Sequence, residues 1–334
     1  MRAIRVHHLT GLDGLRLDTI PSLTPGPDEV RIEVHAAGCN FPDTLMINGQ
    51  YQDKPGLPFS PGKEVAGYVM DVGEGVEGFA PGDRVMALVG HGGFAEEVTC
   101  NAEEAHKIPD DLDFATAGGF ALVYATSFIG LNHPQIHLSE GEILLVHGAG
   151  GGVGLTAVEI GKILGATVVA TAGDDKKLAL AKDHGADHII NYRTENIRDR
   201  VKDLVGGVDV VYDPVGGDAF KHSLRCLNMD GRIAIIGFAS GDIPQIPANY
   251  LLVKNISVTG IAMHAYRRRK SAPYQDMFPT MLRWRREGRL KPHISAHFPL
   301  SQTADALKML IDRRATGKVV VLIREPGAGF GSSE

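Results

Sequence analysis

The order of apolar and polar positions divides the chain into segments of two kinds. Between residues 141 and 263, short apolar runs alternate with stretches of helical character; the runs cover residues 143–148, 167–172, 188–190, 208–213, 232–237 and 255–263. Short apolar runs bounded by turn residues are typical of strands buried on both faces. Strands that alternate with helices predict a parallel sheet, and six such strands suit a doubly wound dinucleotide-binding fold.

The flanking segments have a different pattern. The first third contains short apolar runs, such as EVRIEVHAAG and EVAGYVMDVG, between turns rich in Gly, Pro and Asp. This pattern predicts β-rich structure. Near the end, residues 304–313 read as an amphipathic helix and residues 319–323 as a strand. We therefore predict a Rossmann domain over residues 121–263, inserted into a second domain formed by residues 1–120 and 264–334.

Composition narrows the class of protein. The formal net charge of −6 argues against nucleic acid or an acidic membrane as the main partner. No apolar run approaches the ~18–20 residues of a membrane-spanning helix, and the first residues lack the apolar core of a secretory signal. Three scattered cysteines, Cys39, Cys100 and Cys226, favour a reducing compartment. The expected location is the cytoplasm.

A glycine-rich turn, HGAGGGVG, follows the first strand of the alternating region at residues 147–154. Aligned with the dinucleotide fingerprint, its three key positions are Ala149, Gly151 and Gly154; alanine at the first makes the match imperfect. Glycine at the second lets a pyrophosphate approach the backbone, and glycine at the third lets the helix pack closely on the strand. The predicted cofactor-binding positions of this turn are Ala149, Gly150, Gly151, Gly152, Val153 and Gly154.

The end of the second strand distinguishes NADPH from NADH. An NAD site places a carboxylate there, whereas this chain has Ala172, then Gly173, with Lys177 one turn on. A small neutral residue and a nearby cation favour a 2′-phosphate, and hence NADPH. Asp174 and Asp175 would either repel that phosphate or cap the next helix. We prefer capping because both residues stand where a helix begins.

With these residues in view, the sequence resembles the medium-chain dehydrogenase/reductase superfamily, in its zinc-free, zeta-crystallin-like NADPH:quinone oxidoreductase branch. The motifs that carry the resemblance span nearly the whole chain: AAGCNFPDTLMINGQY, PFSPGKEVAGYV, GDRV, the glycine-rich turn, HIINYR, DPVGG and RRATGKVV. The resemblance implies a GroES-like catalytic domain around an inserted Rossmann domain, NADPH as the cofactor, and a homodimer or homotetramer.

The resemblance also assigns roles to residues. It implies that Lys177 and Tyr192 contact the 2′-phosphate end of NADPH. It places Asn40, Tyr51 and Thr126, the predicted catalytic residues, along the cleft for nicotinamide and substrate. The expected cofactor-binding set further contains Gly173, Gly237, Phe238 and Lys318.

The residues at the zinc-ligand positions of related alcohol dehydrogenases do not suit zinc. The position of the first cysteine is Asn40, and the Gly-His-Glu motif reads Gly62, Lys63 and Glu64. Cys39 lies one residue off, and in an extended chain its side chain points the other way. The fourteen histidines offer other candidates, such as His91, His106, His133 and His137, but most are expected to be ordinary surface histidines. The prediction is therefore an enzyme without a metal.

Without a Lewis acid, the substrate must already be electrophilic, so we expect hydride transfer to a quinone or an enone. Asn40 is predicted to donate an amide hydrogen to the developing oxyanion, and Tyr51 a hydrogen bond or a proton. A second hypothesis is an enoyl-CoA reductase, in which the basic run at residues 267–270 binds phosphates rather than forming a solvated loop. A third is an NADPH-binding protein without catalysis, like some lens crystallins.

Overall fold

The computed structural model describes residues 1–269, 276–325 and 327–331. Close contacts divide the chain into two compact units, Met1–Leu122 with Pro292–Glu334, and Val123–Lys291. The strands are β1 (Arg2–Val6), β2 (Leu15–Thr19), β3 (Glu29–Cys39), β4 (Glu64–Val72), β5 (Arg84–Leu88), β6 (Glu97–Asn101), β7 (Ala105–Lys107), β8 (Ile143–Val146), β9 (Thr167–Ala172), β10 (His188–Asn191), β11 (Val208–Asp213), β12 (Leu227–Ile235), β13 (Ser257–Gly260), β14 (Ile294–Pro299) and β15 (Lys318–Leu322).

The helices of the described ranges are short. They are α1 (Phe41–Met46), α2 (Phe114–Gly118), α3 (Ala121–Asn132), α4 (Gly152–Ile163), α5 (Asp175–Asp183), α6 (Ile197–Val205), α7 (Gly217–Cys226), α8 (Ala248–Lys254), α9 (Met263–Arg269), α10 (Met277–Arg286) and α11 (Thr303–Ile311). A search of the described residues found no helix with the length and apolar character needed to cross a bilayer.

The second unit contains a parallel sheet in the order β10-β9-β8-β11-β12-β13. Its central strands are apolar because helices cover both faces; Leu144, Leu145 and Val146 of β8 are fully buried. The strand order reverses direction between β8 and β11. In sheets of this kind, ligands bind beyond the carboxyl ends of the strands at that point.

The first unit contains a sheet in the order β14-β15-β3-β4-β5-β7, with β6 also paired to β3, and a separate hairpin of β1 and β2. Strand β3 lies between β15 and β4, and its last residues pair with the first residues of both. Cys39 is opposite Val319, and Ala37 is opposite Val65. This register brings residues 40, 64 and 318 to the same edge of the sheet.

The sequence-based fold is confirmed: both ends of the chain form a β-rich unit, and the middle of the chain forms a unit with a doubly wound parallel sheet. The boundary at residues 263/264 differs from the structure, which ends the second unit at Lys291. Helix α10 accounts for the difference. It buries Met277, Phe278 and Met281, and its Trp284 packs against Phe128 of α3 with ring centroids 5.7 Å apart, so the helix belongs to the second unit.

Candidate active site

The glycine-rich turn joins β8 to α4 in the second unit. Gly151 is the N-cap of α4, and its N–H donates to the carbonyl of Gly148 at 2.9 Å. Helix α4 is twelve residues long. Its first-turn N–H groups have no partners within the helix, and its positive dipole end favours an anion. The turn therefore presents backbone donors suited to a phosphate group.

The space around the glycines tests whether this turn fits a pyrophosphate. A Cβ added at Gly154 would lie 2.2 Å from the carbonyl oxygen of Gly148, so close helix–strand packing requires glycine there. A Cβ at Gly151 would meet only that same oxygen, at an ordinary 3.4 Å. Protein packing does not explain the glycine at 151, whereas the approach of a ligand to the backbone does. The turn fits a dinucleotide.

The two acidic residues after β9 have hydrogen-bond partners in α5 and β10. Asp174 is the N-cap of α5, where its Oδ1 accepts the N–H of Lys176 at 2.8 Å and of Lys177 at 3.3 Å. Asp175 accepts the side-chain amide of Asn191 at 2.7 Å. Asp174 thus has the capping role that the sequence favoured, and both carboxylates already accept hydrogen bonds from the protein.

Tyr192 lies against the end of β9, and Lys177 lies against the glycine-rich turn. A Cβ placed on Gly150 would lie 2.5 Å from Cβ of Lys177, so this lysine packs directly against the glycine-rich turn. A Cβ on Gly173 would lie 2.7 Å from the Tyr192 hydroxyl, and the backbone N–H of Tyr192 donates to the Ala172 carbonyl at 3.2 Å. Tyr192 thus packs against Ala172 and Gly173, and Lys177 packs against the glycine-rich turn.

The other predicted residues of the second unit lie beside the same turn or at the same edge of the sheet. Thr126 is nearly buried in α3, and the adjacent Ser127 donates its hydroxyl to the Val153 carbonyl at 2.9 Å, which ties α3 to the first turn of α4. Gly237 and Phe238 follow the carboxyl end of β12. Gly237 and Phe238 therefore lie at the edge of the sheet where dinucleotide folds hold their ligand.

A buried histidine supports the glycine-rich turn from within, and sequence analysis did not single it out. His147 Nε2 lies 2.7 Å from the Ser223 hydroxyl, and Nδ1 lies 2.9 Å from the Thr171 hydroxyl. Ser223 donates its own proton to the Ala219 carbonyl, so Nε2 must carry the proton between them and Nδ1 accepts from Thr171. Burial lowers the pKa of His147, which keeps this neutral form.

In the first unit, Asn40, Glu64 and Lys318 form a closed, buried network. The Lys318 ammonium donates to the Asn40 Oδ1 at 2.7 Å, to the Cys39 carbonyl at 2.7 Å and to the Glu64 Oε1 at 2.8 Å. Because an ammonium can only donate, the Asn40 oxygen faces it. The Asn40 Nδ2 donates to the Gly38 carbonyl at 3.1 Å and to the Glu64 Oε1 at 3.0 Å.

This network bears on the expected roles of Asn40 and Lys318. All three protons of Lys318 and both amide protons of Asn40 are already donated within the unit. Asn40 therefore has no spare hydrogen for an oxyanion, and Lys318 none for a cofactor. Both residues instead hold the end of β3 against the starts of β4 and β15. Glu64, which sequence analysis had considered only beside the metal position, is the acceptor at the centre of the network.

Tyr51 lies partly buried against the core of the first unit. The ammonium of Lys63 lies 4.7 Å from the centroid of its ring and donates to the Gly90 carbonyl at 2.8 Å. Sequence analysis treated Lys63 only as a missing zinc ligand. Lys63 stands directly before Glu64, the first residue of the apolar strand β4. That position could have indicated that Lys63 is buried.

Asp43 is a fully buried carboxyl group that links two of these segments. It accepts the backbone N–H of Asn40 at 2.8 Å and that of Gly62 at 3.2 Å. Burial raises the pKa of Asp43 to about 6, against the opposing effects of the Asn40 N–H and of the Lys63 and Lys318 charges. The Asn-x-x-Asp spacing of a capping box could have revealed this contact.

No cluster of three histidine, cysteine or carboxylate side chains suited to a metal occurs among the described residues. Cys39 is buried in the hydrophobic core of the first unit, and burial raises the pKa of its thiol well above the ordinary value. Its thiol is therefore protonated in the folded protein.

Comparisons with known proteins identify the family. Residues 26–110 match the alcohol dehydrogenase GroES-like domain, and residues 152–285 match the family described as zinc-binding dehydrogenase. The chain is 42% identical to the quinone oxidoreductase-like protein 2 homolog of Nematostella vectensis, over 89% of this chain and 82% of that protein. The chain belongs to the quinone oxidoreductase family.

Solved structures agree with this membership. The Escherichia coli quinone oxidoreductase complexed with NADPH is 30% identical, with a TM-score of 0.89 over 96% of this chain and all of the other. A 2-haloacrylate reductase is 32% identical, with a TM-score of 0.84 over 97% of this chain and all of the other. The predicted membership of the quinone oxidoreductase family is thus confirmed, and with it the medium-chain dehydrogenase/reductase superfamily.

The match described as zinc-binding dehydrogenase does not include Asn40 or Lys63. That match covers residues 152–285, which lie within the second unit. Asn40 and Lys63, at the positions of zinc ligands in alcohol dehydrogenases, lie in the range of the GroES-like match.

Proposed function

We propose that this member of the quinone oxidoreductase family is an NADPH-dependent reductase that transfers hydride to a quinone or an activated alkene without zinc. The glycine-rich turn carries the proposal, because Gly151 leaves open backbone that protein packing alone does not require. The NADPH complex of the related Escherichia coli enzyme supports the same choice of cofactor.

The preference for NADPH rests on the end of β9. Ala172 and Gly173 offer no carboxylate to ribose hydroxyls, and Lys177 supplies a cation beside the turn. The nearby carboxylates of Asp174 and Asp175 are hydrogen-bonded to α5 and to Asn191. Lys177 and Tyr192 would hold the 2′-phosphate, with Gly237 and Phe238 further along the same edge of the sheet.

Replacing Lys177 by alanine should weaken NADPH binding about tenfold or more and leave NADH binding nearly unchanged, because only NADPH carries the 2′-phosphate that this ammonium would pair with. Fluorescence titration of both cofactors measures the change. Lys176→Ala, one residue away on the exposed side of α5, is the matched control and should change neither affinity. Equal losses for both cofactors would show that Lys177 does not recognise the phosphate.

Substrate chemistry follows from the donor set of the first unit. NADPH, when bound, supplies a hydride. Added to the β-carbon of an enone, the hydride moves the alkene electron pair onto oxygen as an enolate, which then takes one proton. A quinone takes the hydride and one proton to become a hydroquinone. The Tyr51 hydroxyl is the proposed donor to the substrate oxygen, since Asn40 is committed to Lys318 and Glu64.

The proposal of a reaction without zinc rests on the chemistry of residues 40 and 63. Asn40 presents its oxygen to the Lys318 ammonium, and Lys63 is itself an ammonium, which repels a metal cation. An unpolarised alcohol or simple ketone is a poor substrate under these conditions. The related 2-haloacrylate reductase is named for an activated alkene, which supports this substrate class.

An acyl-CoA substrate finds less support. In the sequence, Tyr51 and the basic run at residues 267–270 favour it. Arg267 and its two neighbours end helix α9, and residue 270 lies outside the described residues. Enoyl-CoA reduction and cofactor binding without catalysis therefore remain alternatives to the proposed quinone or enone reduction.

We further propose that the enzyme forms a homodimer or homotetramer. Exposed apolar side chains concentrate in one stretch of the second unit, which includes Ile243, Leu252 and Val253; the last two are 79% and 65% exposed. Apolar surface of this kind favours contact between protein chains.

A further inference from the structure

Lys63 is a buried lysine of the first unit that lies against the ring of Tyr51. Only 8% of its surface is exposed. The 4.7 Å between its Nζ and the ring centroid is within the ~6 Å range of a cation–π interaction. The hydrogen bond from Nζ to the Gly90 carbonyl, at 2.8 Å, fixes the ammonium over the ring.

The charge of Lys63 acts on the groups around it. Lys63 opposes the burial that raises the pKa of Asp43, and it adds to the burial that lowers the pKa of His91. His91 also packs against Phe59, with ring centroids 6.2 Å apart. A charge removed from water interacts with its neighbours far more strongly than one at the surface. Lys63 thus supplies positive potential to this part of the unit.

We propose that Lys63 is a further residue of the active site, which fixes the ring of Tyr51 and supplies a built-in positive charge to stabilise the enolate of an alkene substrate. The inference rests on the proposed function, in which Tyr51 donates to the substrate oxygen. A cation over the ring draws electron density from the phenol, so its hydroxyl becomes a stronger hydrogen-bond donor. The ammonium remains protonated throughout the reaction and transfers nothing.

This role makes Lys63 a determinant of substrate class. An enolate is a far stronger base than a hydroquinone anion, so its formation depends more on a nearby positive charge. Alkene reduction should therefore require Lys63, whereas quinone reduction should depend on it little. A purely structural lysine would affect both substrates alike.

Three substitutions separate the charge of Lys63 from its hydrogen bond. Lys63→Met removes both, Lys63→Gln keeps a donor for the Gly90 carbonyl, and Lys63→Arg keeps donor and charge. For an enone, we expect kcat to fall about 30-fold in the first two variants, the rate equivalent of a buried cation–π interaction. The Arg variant should recover most of the loss, and quinone turnover should stay within a few-fold for all three.

A double-mutant cycle with Tyr51→Leu tests the positioning contact independently of catalysis. Urea midpoints of Lys63→Met, Tyr51→Leu and the double variant should be non-additive, because each change alone removes the same interaction. Additive midpoints, or equal losses on enone and quinone, would overturn the role of Lys63. If the unaltered protein reduces neither substrate, the proposed function itself fails, which is a different result from an active protein indifferent to Lys63.

Discussion

Replacing Tyr51 by phenylalanine is expected to lower the rate of enone or enoyl-thioester reduction about 100-fold, the size typical of a lost general acid. The reduced alkene needs a stabilised oxygen and a proton on carbon, and a phenol, with an ordinary pKa near ~10, is a competent donor at neutral pH. Quinone reduction should fall only a few-fold, because the hydroquinone oxygens can take protons from water. Steady-state kinetics with both substrates measures the difference.

The Tyr51→Phe substitution tests the role of the hydroxyl group alone. Phenylalanine keeps the ring against the core and under the Lys63 ammonium, and removes only the hydroxyl. Tyr250→Phe, in helix α8 of the second unit, serves as the control and should leave both rates unchanged. A small effect on every substrate would reduce Tyr51 to a packing residue and leave positioning as the basis of catalysis.

Replacing Lys318 by methionine is expected to destabilise the protein by about 3–5 kcal/mol, because it leaves Glu64 as an unpaired charge in the interior. Glu64 is fully buried, and its Oε1 accepts from both Lys318 and Asn40. Neighbouring backbone also depends on it, since the Leu122 N–H donates to the Glu64 Oε2 at 2.8 Å. Urea denaturation measures the loss.

A second substitution isolates the charge. Lys318→Met combined with Glu64→Gln removes both charges and keeps a carbonyl oxygen for Asn40, so the double variant should be more stable than Lys318→Met alone. Lys221→Met breaks a fully exposed ion pair with Asp218 and should leave the midpoint almost unchanged. A Lys318→Met protein as stable as the parent would mean that the network contributes nothing.

The Rossmann fold could be predicted from the sequence because its buried parallel strands are uninterrupted apolar runs. The residue at which that domain ends could not be predicted from the sequence. Helix α10 has an apolar face, with Met277, Phe278 and Trp284, and nothing in such a face says which unit covers it. The contact between Trp284 and Phe128 of α3 assigns the helix to the second unit.

Some residues of the candidate site could likewise be predicted from the sequence, and others could not. The residues of the glycine-rich turn and of the end of β9 are close in sequence, so a local motif reveals them. The network of Asn40, Glu64 and Lys318 depends on the pairing of β15 and β4 with β3, and no local pattern reports it. For that reason sequence analysis did not anticipate that Lys318 is buried and paired with Glu64.

The most direct measurement of the central claim is NADPH oxidation by protein treated with a strong chelator and shown by elemental analysis to be free of zinc. Near-ultraviolet absorbance would follow the reaction with phenanthrenequinone, with an enone such as methyl vinyl ketone, and with crotonyl-CoA. We expect turnover with the quinone or the enone, undiminished by chelation and faster with NADPH than with NADH. Activity lost on chelation and restored by zinc, or NADPH binding without turnover on any of the three, would contradict the account.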